Sequence, residues 1–343
     1  MKSTIRARAP MRIGLCGGGS DLPEYLEHSE GLILNATISL FARVTIKPQP
    51  RGQGFHFNIS DTQEVFRYTR DELEELEYTK LPLPVAVTKY FLNHDEISDL
   101  SIHTHSDVPQ GSGLGGSSCL VVALVKAYAE FLNMPISSYD CARIAIRIER
   151  ELCGQPGGIQ DQYASAFGGF NCLEISKDRV VVDRLPIKNW QACELSEHLI
   201  IAYSNIKRTG PVIENQKKEA SEIAERQQIS SDFRALALGF RDQLMSGNFH
   251  RLPDILNNSW RTKKKMSENT SSNAIDDLIE SILVSGARGA KLSGAGGGGF
   301  CLVFVAPENR GVVSRALTKF GCQIFPFSFW DKGVEAWEIA DGH

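Results

Sequence analysis

The sequence lacks the features that would assign its 343 residues to a class at first sight. It contains no uninterrupted run of about 18 apolar residues, the length that a membrane-spanning helix requires. Its formal net charge is only -4, so the composition lacks the excess of basic residues that is typical of nucleic-acid-binding proteins. The first 14 residues have no apolar core, and we therefore expect no signal peptide.

Cysteine motifs are also absent. None of the eight cysteines forms a Cys-x-x-Cys pair, and no histidine follows one at zinc-finger spacing. Several cysteines lie in apolar runs, for example Cys172 and Cys301, where a reduced thiol packs as a small hydrophobic side chain. We therefore expect reduced cysteines and a cytoplasmic location.

The composition is that of a folded, globular protein. Hydrophobic residues make up 42% of the chain and charged residues 23%, which excludes wholesale disorder. At about 100–200 residues per domain, the length corresponds to about two domains. The glycine pair at 168–169 is a reasonable boundary. We therefore expect an N-terminal domain over residues 1–168 and a C-terminal domain over residues 169–343.

Patterns of apolar residues predict strands and helices in both halves of the chain, which indicates the α+β class. Predicted strands cover 31–39, 41–47, 53–58, 64–68, 100–106, 170–175, 179–185, 198–203, 290–293 and 300–305. Predicted helices cover 84–93, 138–152, 159–167, 211–246, 248–266, 273–285 and 310–320, before a terminal pair of strands. A further long helix begins after the loop 107–116, with one buried face formed by Leu120, Leu124, Ala127, Tyr128 and Phe131.

The most informative segment is the glycine-rich run 109–118, between a predicted strand and the long helix. Glycine allows the backbone to approach an anion closely, and the free N–H groups at a helix N-terminus favour phosphate. The two serines at the end of the run add hydroxyl groups that can reach a phosphate or a magnesium ion. The segment therefore predicts a phosphate-binding loop.

Other interpretations of this loop remain open. Gly111, Gly113 and Gly116 satisfy G-x-G-x-x-G, the dinucleotide fingerprint, which keeps an NAD-type oxidoreductase as an alternative. The surrounding sequence does not fit that fingerprint, because a dinucleotide-binding fold has a second parallel strand after the first helix, and here another helix is predicted at that place. No G-x-x-x-x-G-K-[ST] motif is present, which excludes a Walker-type P-loop. A simple glycine turn between strand and helix is the remaining alternative.

Two further glycine segments, at 10–21 and 291–300, carry charged residues at their edges. A single glycine run is usually a flexible turn. Three such runs in one chain favour a common role, and we predict that they converge on one ligand.

Two carboxylates stand out in the helices that follow the loop. Glu149 lies on the apolar face of the predicted helix 138–152, where an unpaired charge is costly to bury. Its partner would be a metal ion or a neighbouring arginine, Arg143 or Arg147. Asp161 lies near the start of the next predicted helix, where the helix dipole alone would stabilise it. The spacing leaves a functional and a structural interpretation open for both residues.

Together these segments resemble the GHMP small-molecule kinases, the family of galactokinase, homoserine kinase and mevalonate kinase. The three family motifs occur in order at 10–21, 109–119 and 291–300. The resemblance implies an α+β fold of two domains with the active site in the cleft between them. It also implies an ATP- and Mg²⁺-dependent kinase that phosphorylates an alcohol group of a small molecule, without a nucleic-acid or membrane partner.

The same resemblance assigns roles to individual residues. Asp161 matches the catalytic base, and Arg12 matches an arginine beside the reacting hydroxyl. Glu149 and Ser117 match the glutamate and the serine that bind magnesium. The implied nucleotide-binding residues are Pro109, Gly111, Ser112, Gly113, Leu114, Gly115, Gly116, Ser117 and Ser118. The implied substrate-binding residues are Arg12, Gly18, Gly19, Ser20, Asp21, Asp161, Gly296 and Gly297.

Differences between this sequence and the family pattern reduce the number of possible substrates. Galactokinases and mevalonate kinases carry Gly-Glu-His where this chain has Gly17-Gly18-Gly19, which disfavours galactose and mevalonate. The run R-I-x-L-x-G-G-G-S-D resembles the bacterial heptose 7-phosphate kinase branch, and the fucokinase branch is the nearest rival. The heptose branch phosphorylates C1 of D-glycero-D-manno-heptose 7-phosphate, which gives the 1,7-bisphosphate for the synthesis of GDP-heptose and surface polysaccharide.

Two cationic segments complete the prediction. Arg208 follows a predicted strand and precedes a helix that starts at Pro211, so we predict that it binds the phosphate that the substrate already carries. An ordinary exposed loop charge is the alternative. Lys263, Lys264 and Lys265 are predicted to form a solvated helix face.

Overall fold

Two long antiparallel strands, β1 (Thr4–Cys16) and β2 (Gly31–Pro48), organise the larger sheet. The computed structural model describes residues 3–94, 97–206 and 223–339. The patterns in the sequence did not predict β1, and they predicted two strands where β2 is continuous. The register of β1 against β2 shifts between Pro10 and Met11, so that residues 39 and 40 form a bulge within a single strand.

The other strands of this sheet extend from both sides of this pair. Their bounds are Phe55–Ile59 (β3), Glu64–Tyr68 (β4), Leu100–Ser106 (β5), Phe170–Ile175 (β6), Val180–Arg184 (β7) and Glu335–Ile339 (β12). Among the described residues the order is β12-β1-β2-β5-β3-β4, and β6 joins the first part of β2 and carries β7. The pair β3–β5 is parallel, and the neighbouring pairs are antiparallel.

A buried helix, α4, crosses this sheet and fixes the position of the glycine-rich loop before it. The helices of this half are Pro23–Leu26 (α1), Arg70–Glu75 (α2), Leu83–Phe91 (α3), Gly116–Phe131 (α4), Ser138–Ile146 (α5) and Gln160–Phe167 (α6). The predicted face of α4 is buried, and so are Val121, Val122 and Val125 on its other sides. A helix that is apolar all round lies inside a core, so its first turn cannot shift easily.

The other half of the described chain is built around a second, four-stranded antiparallel sheet. Its strands are Leu199–Tyr203 (β8), Ala287–Leu292 (β9), Phe300–Val305 (β10) and Gln323–Phe325 (β11), in the order β11-β8-β10-β9. The helices of this half are Asn189–His198 (α7), Ile223–Ser246 (α8), Leu252–Lys264 (α9), Asn273–Val284 (α10) and Arg310–Lys319 (α11). No described helix is both long enough and apolar enough to span a membrane.

The predicted α+β class is confirmed, and several details differ from the prediction. The predicted helix 138–152 is α5 followed by a π-helical segment, Arg147–Leu152. The terminal strands do not pair with each other, because β11 joins the second sheet and β12 joins β1 in the first. Strands β6 and β7 lie beyond residue 168 and yet belong to the first sheet. The division of the domains at residue 168 stays a prediction.

The loop between β9 and β10 packs directly on the loop before α4. The backbone N–H of Phe300 donates to the carbonyl O of Ser112 at 2.8 Å. A Cβ on Gly299 would lie 2.3 Å from that carbonyl O, and a Cβ on Gly294 would lie 2.8 Å from Cα of Gly113. Both glycines also have a positive φ. Only glycine therefore allows the two loops this close an approach.

We expect Gly299→Ala to lower the free energy of unfolding by about 1–3 kcal/mol, because φ is +91° there and the new Cβ meets a backbone carbonyl. Urea denaturation measures the change. Gly311→Ala in α11 is the control, since a Cβ there would meet no atom closer than 3.7 Å. The control should leave the stability unchanged or raise it slightly, and an equal loss in both variants would contradict the packing argument.

Candidate active site

The three glycine segments meet at one cleft with an interior volume of about 230 Å³. The first segment contributes Arg12, Gly19 and Asp21, and the loop before α4 contributes residues 111–113 and 115–118. The third segment contributes Gly294 and Ala295. The three segments therefore line one cleft, and their binding of a common ligand stays a prediction.

The loop before α4 turns its backbone toward the cleft. Gly111, Gly113 and Gly115 all have a positive φ. A Cβ on Gly115 would lie 2.9 Å from Cγ of Asp161, so the loop can pass this carboxylate only as glycine. The helix starts immediately afterwards, with its first N–H groups beside the cleft. Free N–H groups and the helix dipole together favour an anion at this point.

Two of the predicted nucleotide-binding residues do not line the cleft itself. Leu114 is fully buried in the core, and its carbonyl O accepts a hydrogen bond from the backbone N–H of Arg12 at 3.3 Å. Pro109 lines a neighbouring recess rather than the cleft itself. Leu114 therefore anchors the loop from behind.

A buried ion pair joins β1 to α6 beside the loop. Arg12 donates from Nε to Oδ1 of Asp161 at 2.7 Å, and its Nη2 lies 2.6 Å from the same oxygen. Its Nη1 donates to the carbonyl O of Gly113 at 2.7 Å. Only 3% of the Arg12 side chain is exposed, against 19% for Asp161. Asp161 therefore presents its carboxylate to the cleft while Arg12 holds it from behind.

Glu149 is the most deeply buried carboxylate of the cleft. Its Oε1 accepts a hydrogen bond from Oγ of Ser118 at 3.1 Å, and its Oε2 accepts one from Nε2 of Gln162 at 2.6 Å. Nη1 of Arg150 lies 3.3 Å from Oε1. Burial raises the pKa of this carboxyl, and the charge of Arg150 opposes the rise.

The arginine beside Glu149 is not one that the sequence suggested. Arg143 and Arg147 instead lie over the rings of Tyr139 and Tyr90. Arg150 also donates from Nε to the carbonyl O of Gly158 at 3.0 Å, so it fixes the loop before α6 as well. Its place in the π-helical segment explains the error, because π-helical turns rotate side chains away from α-helical spacing.

The oxygen donors on this wall fit a magnesium ion. Both Ser117 and Glu149 line the cleft, with Ser117 exposed and Glu149 buried. Magnesium prefers oxygen ligands and is usually bound by one or two carboxylates together with water and substrate phosphates. Within the described ranges no three acidic, histidine or cysteine side chains form a cluster that could hold a metal. A magnesium ion here would thus depend on the nucleotide for part of its ligand set.

Asp21, which the resemblance assigns to substrate binding, lines the cleft and also accepts several backbone hydrogen bonds. Its Oδ2 accepts hydrogen bonds from the backbone N–H groups of Ile159 at 2.8 Å and Gln160 at 3.0 Å. Its Oδ1 accepts one from the N–H of Gly19 at 3.2 Å. The carboxylate lines the cleft but caps the first turn of α6, one residue before Asp161. Asp21 thereby fixes the helix that carries Asp161.

The other predicted substrate residues are divided between cleft and surroundings. Gly19 lines the cleft, whereas Oγ of Ser20 donates to the carbonyl O of Gly17 and closes a turn. Gly296 and Gly297 pack against Thr270, and the backbone N–H of Gly297 donates to the carbonyl O of Thr270 at 2.8 Å. Arg208 lies outside the described residues.

Lys263 contradicts the prediction of a solvated lysine face. It is 9% exposed, lines the cleft, and donates from Nζ to the carbonyl O of Gly18 at 2.8 Å. A signal for this was present in the sequence. Leu252, Leu256 and Trp260 precede Lys263 at helical spacing and are buried, so the same spacing places Lys263 on the buried face of α9.

Two recesses open from the cleft at different ends. The first, which we call the α3 recess, has a volume of about 370 Å³ and is lined by residues that include Asp61, Leu83 and Pro84. It shares Gly116 and Ser117 with the cleft. It therefore lies at the end of the cleft that the start of α4 forms.

The second recess, which we call the lysine recess, is small, with a volume of about 20 Å³. It is lined by residues that include Lys263, Lys291 and Trp260, and it shares Arg12 and Lys263 with the cleft. Lys291 is buried there and donates from Nζ to the carbonyl O of Leu15 at 3.1 Å. Burial lowers the pKa of Lys291 to about 8.

Known proteins resemble the chain over both halves. Residues 82–169 match the GHMP kinases N terminal domain, and residues 240–322 match the GHMP kinases C terminal region. The chain is 39% identical over 339 residues to the D-glycero-alpha-D-manno-heptose 7-phosphate kinase of Campylobacter jejuni, across 98% of this chain and 99% of that protein.

A solved structure and a second relative extend the comparison. The D-glycero-D-manno-heptose 1-phosphate kinase of Bacteroides thetaiotaomicron superposes with a TM-score of 0.80 at 32% identity, over 98% of this chain and 100% of that one. The bifunctional fucokinase/GDP-fucose pyrophosphorylase of Arabidopsis thaliana is 27% identical over 89% of this chain but only 30% of its own length. The similarity to the heptose phosphate kinases is therefore both higher and more complete.

The contacts of Asp21 lead to a stability prediction. We expect Asp21→Asn to lower the free energy of unfolding by about 1–3 kcal/mol, because an amide replaces a buried carboxylate that accepts several N–H bonds. Denaturant unfolding measures this change. Asp178→Asn, in the exposed turn between β6 and β7, is the matched control and should shift stability by less than about 0.5 kcal/mol. A stable Asp21→Asn variant would contradict the capping role.

Proposed function

The chain belongs to the GHMP kinase family, and we propose that it transfers the γ-phosphate of ATP to the C1 hydroxyl of D-glycero-D-manno-heptose 7-phosphate. The resemblance seen in the sequence motifs is thereby confirmed at the level of the family. The observation that carries the proposal is the Arg12–Asp161 pair directly beside a glycine loop at a helix start. The product would be the 1,7-bisphosphate, which serves the synthesis of GDP-heptose and surface polysaccharide.

The nucleotide occupies the end of the cleft that contains the loop before α4. The α3 recess accepts the base, because it is large, partly apolar and continuous with the first turn of α4. The phosphate chain then runs along residues 111–118, where backbone N–H groups stabilise the charge that develops during transfer. This order brings the γ-phosphate next to Gly115 and Asp161.

Asp161 acts as the general base on the acceptor. Its carboxylate faces the cleft, and its contact with Arg12 keeps one oxygen fixed in direction. A carboxylate in this position orients the C1 hydroxyl and accepts its proton as the phosphoryl group arrives. Asp21 and Arg12 are positioning residues in this scheme, since they hold α6 and the carboxylate in place.

Ser117 and Glu149 would hold the magnesium ion that accompanies ATP. When bound, the ion neutralises charge on the β- and γ-phosphates. Ser118 and Gln162 each hydrogen-bond one oxygen of Glu149 and so orient the carboxylate. Arg150 balances its charge from the other side.

The two alternatives are less well supported. A fucokinase-like activity fits the same motifs, but the fucokinase relative matches at lower identity and shares only a part of its own length. A dinucleotide-dependent oxidoreductase requires a second parallel strand after the first helix. The chain instead continues from α4 into α5. The cysteines fit a cytoplasmic kinase, since seven of the eight are buried thiols.

A turnover assay with purified protein tests the proposal. We expect ATP-dependent phosphorylation of heptose 7-phosphate at C1, detected by ³¹P NMR as a second, anomeric phosphate. Asp161→Asn should lower kcat about 10²- to 10⁴-fold with little change in ATP affinity, because the variant keeps the shape and loses the base. Asp178→Asn is again the control. A preference for L-fucose, or for heptose 1-phosphate, whose C1 position is blocked, would contradict the proposed substrate.

The metal site gives a separate test. Glu149→Gln should raise the magnesium concentration that gives the half-maximal rate and should lower kcat, because it removes a charged oxygen ligand. Ser117→Ala should have the same effect but more weakly, since a neutral hydroxyl is the weaker ligand. The exposed neighbour Glu151 provides the matched control, Glu151→Gln. If the magnesium dependence of both variants overlays that of the wild type, these residues are not ligands.

A further inference from the structure

The lysine recess contains a donor that its surroundings do not saturate. Lys291 on β9 is 8% exposed, and its Nζ donates to the carbonyl O of Leu15 at 3.1 Å. No described aspartate or glutamate lines the recess. An ammonium group carries three N–H donors, and burying it without enough acceptors costs free energy. Lys291 therefore has donor capacity left for an oxygen atom that enters the recess.

Trp260 on α9 adds a neutral donor to the same recess. It is 5% exposed and lines the recess, and its Nε1–H has no hydrogen-bond partner within the described part of the chain. A buried N–H group without an acceptor is also costly. An oxygen atom in the recess would offset this cost, so a polar group fits here better than an apolar one.

Gln160 supplies an acceptor. It lines the recess, and its Nε2 donates to Oδ1 of Asp21 at 3.4 Å. The other end of the amide, Oε1, would lie 3.9 Å from a Cβ on Gly14, which also borders the recess. A hydroxyl group both donates and accepts, whereas a phosphate or carboxylate oxygen only accepts. A lining that contains both donors and an acceptor therefore matches a hydroxyl group.

The size of the recess agrees with this match. Its volume is about 20 Å³, and one water molecule needs about 10–15 Å³. Three glycines, Gly14, Gly18 and Gly294, border the recess and place no side chain in it. The space therefore accepts one oxygen atom with its hydrogen and is too small for a phosphate group.

The recess lies directly beside the groups that act on the acceptor. Arg12, Gln160 and Gly294 line both the cleft and the recess. Arg12 also contacts Oδ1 of Asp161, the carboxylate that faces the C1 hydroxyl in the proposed reaction. The hydroxyl closest to C1 on a sugar ring is the one on C2. This hydroxyl can therefore enter the recess while the C1 hydroxyl stays at Asp161.

We propose that the lysine recess binds the 2-hydroxyl of the acceptor, with Lys291 and Trp260 as donors and Gln160 as acceptor. The inference deepens the proposed function and rests on it, since it needs C1 at Asp161. The 2-hydroxyl is axial in a manno sugar and equatorial in its gluco epimer. A recess that takes this hydroxyl selects between the two epimers, so Lys291 and Trp260 determine specificity.

The first test compares heptose 7-phosphate with its 2-deoxy analogue in the wild type and in Trp260→Phe. We expect kcat/KM of the wild type to be about 10- to 100-fold lower for the analogue, because buried donors are then left unpaired. Trp260→Phe keeps an aromatic ring and loses the N–H. It should lower kcat/KM about 3- to 10-fold for the natural acceptor and leave that for the analogue nearly unchanged.

The ratio between the two acceptors makes the test specific. The analogue differs from the natural acceptor in intrinsic reactivity, and this difference cancels when the ratio is compared between variant and wild type. A purely structural Trp260 would lower both values equally, and that result would overturn the proposal. Trp190→Phe is the matched control, since Trp190 is 54% exposed and packs on Phe249 outside the recess. The control should leave the ratio unchanged.

A second variant, Lys291→Met, tests the charged donor. It keeps the length of the side chain and removes its N–H groups. We expect the preference for the 2-hydroxyl, and for the manno over the gluco epimer, to shrink about 10-fold, with KM for ATP unchanged. An unchanged preference in a folded Lys291→Met variant would overturn the proposal. If this variant does not fold, Trp260→Phe alone decides, because it leaves the contact between Lys291 and Leu15 in place.

Calorimetric titration of both acceptors into the nucleotide-free protein separates this inference from the proposed function. A wild type that binds heptose 7-phosphate more tightly than the 2-deoxy analogue, but does not phosphorylate it, would contradict the proposed function while the recess still reads the hydroxyl. A wild type that phosphorylates and binds both acceptors equally well would overturn the inference alone, as expected if the recess holds only a water molecule. Neither binding nor turnover would overturn both.

Discussion

The site depends on one buried guanidinium. Arg12 is almost fully inaccessible, and a buried charge is tolerable only when it is paired and its N–H groups are hydrogen-bonded. Its partners come from distant parts of the chain: the carboxylate of Asp161 on α6, the carbonyl O of Gly113 in the loop, and Oγ of Ser293 after β9 at 3.5 Å. The N–H groups of Arg12 are therefore all hydrogen-bonded only when the loop, α6 and the second sheet are in their native positions. Folding of the chain and assembly of the site are for this reason one event.

Close backbone approach is the second constraint, and it explains where glycine is required. Gly115 passes Asp161, Gly158 passes Asp21, and Gly299 passes the backbone of Ser112, each at a distance that excludes a Cβ. These contacts remove side chains from the centre of the cleft and leave N–H groups and a few fixed carboxylates. A site for phosphate benefits from this arrangement, because oriented N–H dipoles stabilise developing charge without reorganising.

The sequence patterns predicted those features that depend on residues close together in the chain. The buried face of α4, the start of that helix after a glycine loop and the hairpin β6–β7 follow from spacing and turn residues within a few positions. Contacts between distant segments leave no such trace. The capping of α6 by Asp21 and the different sheets of β11 and β12 depend on which segments meet in space. Lys263 was missed for another reason, because its charge suggested solvent although its helical spacing indicated burial.

The charges of the cleft are arranged in sequence from one end to the other. Glu149 and Asp161 place negative charge beside the loop before α4, where a magnesium ion with a polyphosphate would bring positive charge to the carboxylates. Lys263 and Lys291 lie at a separate recess, which shares Arg12 and Lys263 with the cleft. In the proposed reaction the acceptor hydroxyl faces Asp161, because this carboxylate reaches the cleft beside the glycine loop while Arg12 fixes its direction.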